Sequence, residues 1–278
     1  MQTNGPDELR EVTEFLAAEA AEFVRRRRPE LVDHSAGPAG VRTKSSPTDP
    51  VTVADTETEQ LLRTLLARLR PGEPILGEEG GGPAAGGAVR WVVDPIDGTV
   101  NFIYGVPAYA VSVAAQVDGV SVAGAVADVV SGEIYSAAAG RGADVIAAGQ
   151  RSPLRCTVTA DLSMALVGTG FSYESQRRGV QAALLAQVLP MVRDVRRIGS
   201  AALDLCMVAA GRLDAHYEHG LHVWDWAAGA LIAAEAGAVV LLPGDDAGGA
   251  PLVVAAAPGI AAELIALLDR HGGLRPLP

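Results

Sequence analysis

The segment from Trp91 to Thr99, WVVDPIDGT, constrains this chain more than any other stretch. Three apolar, strand-favouring residues lead into Asp94, and Asp97 follows three positions later. An unbroken apolar strand needs cover on both faces, so this one belongs inside a sheet, with its acidic end at the rim. Pro95 stiffens the turn between the two aspartates, which lets both carboxylates and the Ile96 carbonyl face one point. Gly98 and Thr99 then open a helix whose free amides suit a phosphate oxygen.

Other acids fall at comparable places. Glu78 and Glu79 close a short strand at Ile75-Leu76, and Asp225 lies near the start of a helix in HVWDWAAGA. Hard divalent cations such as Mg²⁺ take oxygen ligands. Two of them ~3.5–4 Å apart clamp a phosphoryl group and generate a nucleophile. Taken singly, each acid is as easily a helix cap or a solvated surface group. Grouped at the ends of apolar elements, they favour a metal site.

The rival chemistry is that of haloacid-dehalogenase-like phosphatases, whose Asp-x-Asp-x-Thr motif is phosphorylated on the first Asp. Here Pro95 stands two residues before Asp97, and the lysine such enzymes need downstream is missing. The chain has one lysine, Lys44, upstream of the motif, against 21 arginines.

With 278 residues the chain can bury a substantial core as one large domain or two lobes. A formal charge of −11 argues against a general binder of nucleic acid or anionic membranes. Cys156 and Cys206 lack metal-ligand spacing and read as reduced thiols. The opening MQTNGPDELREVTEF carries no signal-peptide pattern, and no stretch offers ~20 apolar residues for a spanning helix. A cytoplasmic protein without membrane contact is expected.

Along the chain, residues 8–25 predict an amphipathic helix that the run Arg25 to Arg28 closes as a solvated terminus. A loop covers His34 to Asp49. A second helix spans 55–69, with Asp55 as its cap, and GGGPAAGGA (80–88) reads as a linker or hairpin tip. Strands at 109–117, 120–130 and 133–138, separated by Asp-Gly and Ser-Gly turns, predict an antiparallel meander. Past Gly149 the pattern alternates: a strand near 164–168, helices near 179–189, 200–211 and 224–236, strands near 238–242 and 252–255, and a helix over 259–270. This is an α+β chain of two lobes in one unit, about 1–150 and 151–278. His216, His219 and His222, three apart, read as packing residues rather than a zinc site.

Together these segments resemble the inositol monophosphatase family, within the lithium-sensitive sugar-phosphatase superfamily. The resemblance rests on KSSPTDPVTVADTETE (44–59), ILGEEG (75–80), WVVDPIDGTVNFIYGVP (91–107), RRIGSAALDLCMVAAGRLDAHYEHG (196–220) and LHVWDWAAGALIAAEAGA (221–238). The family implies a layered αβαβα fold with the active site between the lobes. It further implies that Glu78, Asp94 and the Ile96 carbonyl hold one Mg²⁺, and that Asp94, Asp97 and Asp225 hold a second. A third, weaker ion would rest on Glu78.

By the same resemblance, Asp55 pairs with Thr99 to help activate a metal-bound water, which attacks the phosphate ester directly. Gly98 and Thr99 present amides to the phosphate, Gly199, Ser200 and Ala201 line the ring, and Glu218 and Asp225 meet the polyol. Lys44 heads a loop that covers the site, beside Glu79. Inositol 1-phosphate is the leading substrate, with histidinol phosphate, fructose 1,6-bisphosphate and 3′-phosphoadenosine 5′-phosphate as alternatives on the same scaffold. A catalytically idle binding or regulatory relative is the alternative of another class. The family also implies a homodimer. Val100, Tyr104 and the glycine run after Glu79 depart from the common pattern; none is a metal ligand, so they bear on substrate choice alone.

Overall fold

The computed structural model describes residues 5–33, 37–38, 42–43, 50–83, 89–244 and 249–278. Helix α1 spans Pro6–Leu31. Pro6 and the acids Asp7 and Glu8 suit a first helical turn, and Leu9, Thr13, Leu16, Ala20 and Val24 form its buried stripe. The helix continues to Leu31 through Pro29 rather than stopping at Arg25; Arg25 and Arg26 are exposed, as a solvated terminus requires, but three of the four arginines also reach groups outside the helix. Arg25 Nε donates to the Val129 carbonyl at 2.9 Å, and Arg27 grips Glu57 with two bonds of 2.7 and 3.0 Å. Arg28 donates to the Phe102 carbonyl at 3.1 Å and lies 5.7 Å from that ring's centroid. Helix α2 spans Val53–Leu69.

The next strands are β1 (Ile75–Gly77), β2 (Arg90–Asp97), β3 (Ala110–Val117), β4 (Val120–Asp128), β5 (Ile134–Ala138), β6 (Ala143–Ala147) and β7 (Gln150–Pro153). They form one sheet in the order β7-β6-β5-β4-β3-β2-β1, antiparallel except for the parallel pair β1–β2. The expected meander is its centre. Beyond the expectation, β2 runs past Asp94 to Asp97, and the hairpin β6–β7 adds an edge. Strand β7, QRSP, is polar and exposed throughout, so no alternation marks it.

A second sheet contains β8 (Leu166–Thr169), β9 (Asp194–Arg196), β10 (Ala215–His219), β11 (Val239–Leu241) and β12 (Leu252–Ala256), in the order β9-β8-β10-β12-β11. Helices α4 (Ser175–Val188), α5 (Ala201–Ala209), α6 (Val223–Glu235) and α7 (Pro258–Arg270) complete the layers, and the short α3 (Thr99–Tyr104) follows β2. Two pairs of two-residue strands, Val32–Asp33 with Gly37–Pro38 and Arg42–Thr43 with Pro50–Val51, lie between α1 and α2.

Four apolar clusters fill the four gaps of an αβαβα stack. Leu9, Leu16, Leu62 and Trp91 join α1 and α2 to the first sheet. Val92, Val126, Cys206 and Ile232 join that sheet to α5 and α6. Leu205, Val208 and Val253 connect those helices to the second sheet, and Val254, Ile260 and Leu264 connect it to α7. Helices α5 and α6 are therefore apolar almost all round, as a central layer must be. No described helix is long and apolar enough to cross a membrane.

Candidate active site

Strand β2 explains how two aspartates three residues apart face the same way. In a regular strand, side chains at i and i+3 point to opposite faces. Here Asp94 pairs with Ser112 and Asp97 with Ala110, so three steps on β2 oppose two on β3. This bulge turns both carboxylates to one side, and Pro95 occupies it, where no ladder bond is required. Asp94 Oδ1 accepts from the Ile96 amide at 3.0 Å. Gly98 follows with φ 96°, a left-handed turn; a β-carbon there would lie 2.9 Å from the Ala108 carbonyl oxygen.

Asp225 arrives from the first turn of α6, where its Oδ2 accepts from the His222 amide at 2.6 Å. The carboxylate oxygens of Asp94, Asp97 and Asp225 come within 4.8 Å of one another. Asp97 Oδ2 also accepts from Ser200 Oγ at 2.6 Å and the Ala202 amide at 2.7 Å. The start of α5 is thereby tied to β2. Burial is the first cause that holds all three aspartates above the ordinary carboxylate range. For Asp94, the charges of Glu78, Asp97 and Asp225 add to it. Asp97 is pushed up to about 6, with the Ser200 and Ala202 bonds pulling against burial. For Asp225, Asp97 and Glu78 reinforce it.

Asp55 sits behind this group. It is the third residue of α2 rather than its cap: Thr52 is the cap, and Asp55 closes a capping box by accepting from the Thr52 amide at 2.8 Å. Its other oxygen lies 3.1 Å from Thr99 Oγ1, which is also 3.0 Å from the Ile96 carbonyl oxygen. One side chain thus serves both the helix terminus and the site.

A cavity of about 650 Å³ opens above these groups. Glu78, Asp94, Ile96, Asp97, Gly98 and Thr99 form its floor, and Gly199, Ser200, Ala201, Glu218 and Asp225 its walls. Burial pushes Glu218 up to about 8, with Asp97 reinforcing and Arg197 opposing. Asp55 lies outside the lining, one bond behind Thr99. Glu79 is not in the lining; its amide donates to Glu59 at 2.7 Å. Lys44 lies outside the described residues, as do residues 84–88 of the predicted hairpin tip and most of the predicted loop at 34–49.

Three contributors escaped the sequence reading. Glu59, buried, accepts from the Glu79 and Gly80 amides at 2.7 and 2.9 Å and so pins the turn that carries Glu78. It also pairs with Arg63, four residues on, at 2.8 Å, and nothing in that helical spacing marks its bonds to the distant turn. Asn101 Nδ2 donates to the carbonyls of Ala108 and Ile198 at 2.7 and 2.9 Å, tying α3 to the loop at Gly199. Arg197 brings positive charge to the cavity wall; its place beside Gly199 in RRIGS was the available signal. The three histidines have different surroundings, and two of them, His219 and His222, line the cavity. His219 Nε2 lies 2.7 Å from the Gly273 carbonyl oxygen, His222 precedes α6 and stacks on Trp224, and His216 is fully buried.

The inositol monophosphatase family model matches residues 6–272. Over 284 residues the chain is 66% identical to the inositol-1-monophosphatase of Mycobacterium leprae, covering 99% of this chain and 98% of that one. It is 44% identical over 202 residues to the Nus factor SuhB of Pseudomonas aeruginosa, covering 69% and 72%. Among solved structures, Mycobacterium tuberculosis SuhB superposes with a TM-score of 0.85 at 61% identity, covering 98% of this chain and all of that one. A match that runs through every segment lining the cavity establishes that this chain belongs to the inositol monophosphatase family.

Proposed function

We propose that the chain is a magnesium-dependent phosphomonoesterase that hydrolyses inositol 1-phosphate, or a similarly hydroxylated small ester, to the alcohol and inorganic phosphate. The observation that carries this reading is the meeting of three aspartate carboxylates, Asp94 buried and Asp97 and Asp225 half-buried, within 4.8 Å at the floor of an acid-walled cavity. Buried like charges resist ionisation unless a cation balances them, and the donor set is all oxygen, which suits a hard cation. Glu78, Asp94 and the Ile96 carbonyl would hold one Mg²⁺, and Asp94, Asp97 and Asp225 a second; a third would rest on Glu78. When bound, the ions supply Lewis acidity and neutralise the charge of a phosphate ester.

The protein's own groups do the rest. Asp55, fixed by Thr52, accepts the Thr99 hydroxyl proton, so a water placed at Thr99 Oγ1 has a route for its proton towards Asp55. The amides of Gly98 and Thr99 orient the phosphate. Gly199, Ser200 and Ala201 flank the ring, and Glu218 and Asp225 accept its hydroxyls. The relatives named inositol-1-monophosphatase support this substrate class. A homodimer, a cytoplasmic location and inhibition by lithium belong to the same proposal. The charge of −11 disfavours direct contact with nucleic acid. Because several relatives are named Nus factors, retention of RNA on a filter at physiological salt is the control that would add such a partner.

The test is phosphate release from inositol 1-phosphate, histidinol phosphate, fructose 1,6-bisphosphate and 3′-phosphoadenosine 5′-phosphate, each with Mg²⁺ and with EDTA. Fastest turnover of inositol 1-phosphate, abolished by EDTA and with inversion at a chiral phosphate, is expected. Asp94→Asn should lose at least ~10³-fold in kcat while its circular dichroism stays that of the parent. Retained activity in that variant overturns the metal assignment, and preference for another ester reassigns the substrate. No release from any ester leaves the idle relative as the reading.

A further inference from the structure

Behind Glu218 lies a line of polar groups that the chemistry above does not use. Residues His216 and Glu218 are two apart on β10, so both side chains leave the same face of the second sheet. His216 is fully buried, with Nε2 3.6 Å from Glu218 Oε2 and Nδ1 3.8 Å from Asp204 Oδ1. Asp204 stands one turn into α5 and is 1% exposed. Neither ring nitrogen of His216, nor Asp204 Oδ1, has a hydrogen-bond partner. Buried polar atoms without partners are costly; here Nδ1 faces Asp204 Oδ1, and Nε2 faces Glu218 Oε2.

The neighbouring strand is shaped around this line. Gly168 pairs with His216 in the parallel ladder β8–β10. A β-carbon at Gly168 would lie 2.8 Å from Asp204 Oδ1 and 3.1 Å from His216 Nδ1. Two residues on, a β-carbon at Gly170 would fall on the Glu218 carboxylate. Glycines at alternate positions thus leave room for both ends of the line, and only Glu218 reaches the cavity.

We propose that Asp204 and His216 are positioning residues for substrate recognition: they form a proton-sharing line behind Glu218 that keeps its carboxylate turned to the cavity as an acceptor for a polyol hydroxyl. The inference rests on the polyol-phosphate reading above. The gaps exceed a hydrogen bond by less than about 1 Å. Two proton arrangements satisfy every atom, and one of them leaves Glu218 an acceptor: a protonated Asp204 donates to Nδ1, and the Nε2–H of a neutral imidazole donates to an ionised Glu218. The line then carries a single negative charge, with Arg197 as the cation nearby. Burial drives His216 down to about 3 and so keeps it neutral, and it drives both Asp204 and, to about 8, Glu218 upward. One negative charge at most therefore sits on the line, and Glu218, which alone of the three borders the cavity, is the acid to carry it. A Nε2–H donor counters the burial that raises Glu218.

The experiment compares inositol 1-phosphate with p-nitrophenyl phosphate, which has no hydroxyl for Glu218 to accept, using the full-length enzyme with Mg²⁺. His216→Phe and Asp204→Leu should raise KM for inositol 1-phosphate about tenfold, with kcat within threefold, whereas Asp204→Asn, whose amide N–H still donates to Nδ1, should change it little. Neither constant for p-nitrophenyl phosphate should change, and His216→Gln, which keeps a donor, should recover part of the loss. Equal losses on both esters, or none on either, overturn the inference. Nitrogen-15 NMR of the wild-type imidazole tests it without any substrate or variant. A neutral ring with Nε2 protonated and Nδ1 accepting is expected, whereas an imidazolium or the opposite tautomer refutes the line. If wild type cleaves p-nitrophenyl phosphate but not inositol 1-phosphate, the substrate reading fails and the NMR result still decides the proton line.

Discussion

At the scale of single residues, the site gathers charge that the folded chain opposes. Asp97 makes this measurable because its hydrogen bonds to Ser200 and Ala202 keep its oxygen in place while burial raises it to about 6. Its carboxyl titrates near 3.8 in the unfolded chain, so between pH 4 and 6 the folded state binds the extra proton. Stability from this group is therefore present at low pH and is lost as pH rises through about 6. The penalty above that pH is on the order of 2–3 kcal/mol. Asp97→Asn removes it, and its amide oxygen still accepts both bonds. In EDTA at pH 8 the variant should melt roughly 5 °C above wild type, and the difference should fall to about half by pH 5 and approach zero only below about pH 4. A gain that persists undiminished below about pH 4 would mean that packing, not charge, sets it.

At the scale of elements, a site residue depends on the turn that carries it. Glu78 follows β1, and the amides of the next two residues are held by Glu59 on α2. Glu59→Ala removes two charge-assisted bonds, which should cost about 3 kcal/mol and roughly 5–10 °C in melting temperature. Because Glu78 moves with the turn, the Mg²⁺ concentration for half-maximal rate should rise about tenfold, and Glu59→Gln should fall between the two. An unchanged Mg²⁺ requirement would show that Glu78 is held by other means. The same elements show what sequence can and cannot convey. Asp94, Asp97 and Asp225 were legible because acids that end apolar strands or begin helices stand out against the local pattern. Glu59 and Asn101 were not, since their partners are backbone groups 20 and 97 residues away. Helix α1 was read short for a related reason: a run of four arginines looks solvated until the carbonyls of Val129 and Phe102 are brought to it.

At the scale of the whole molecule, the proposed cation site is a seam between layers. Asp94 and Asp97 belong to the first sheet, while Asp225 and the Ser200–Ala202 turn belong to the central helices packed on it. A cation held by both binds the folded arrangement, since the unfolded chain does not keep the three carboxylates together. Ligand linkage then sets the size of the effect. At about one hundred times its dissociation constant, Mg²⁺ stabilises the fold by ~2.7 kcal/mol, which for a chain of this length is a rise of roughly 5–10 °C. The rise should grow with the logarithm of Mg²⁺ concentration and reverse with EDTA. It should vanish in Asp94→Asn, although that variant still melts in one cooperative step. Simple screening of the −11 charge would behave differently: sodium chloride at matched ionic strength would reproduce it, and Asp94→Asn would retain it. A magnesium-specific rise that is lost in Asp94→Asn is therefore the outcome that separates a cation bridging two layers from a polyanion relieved by salt.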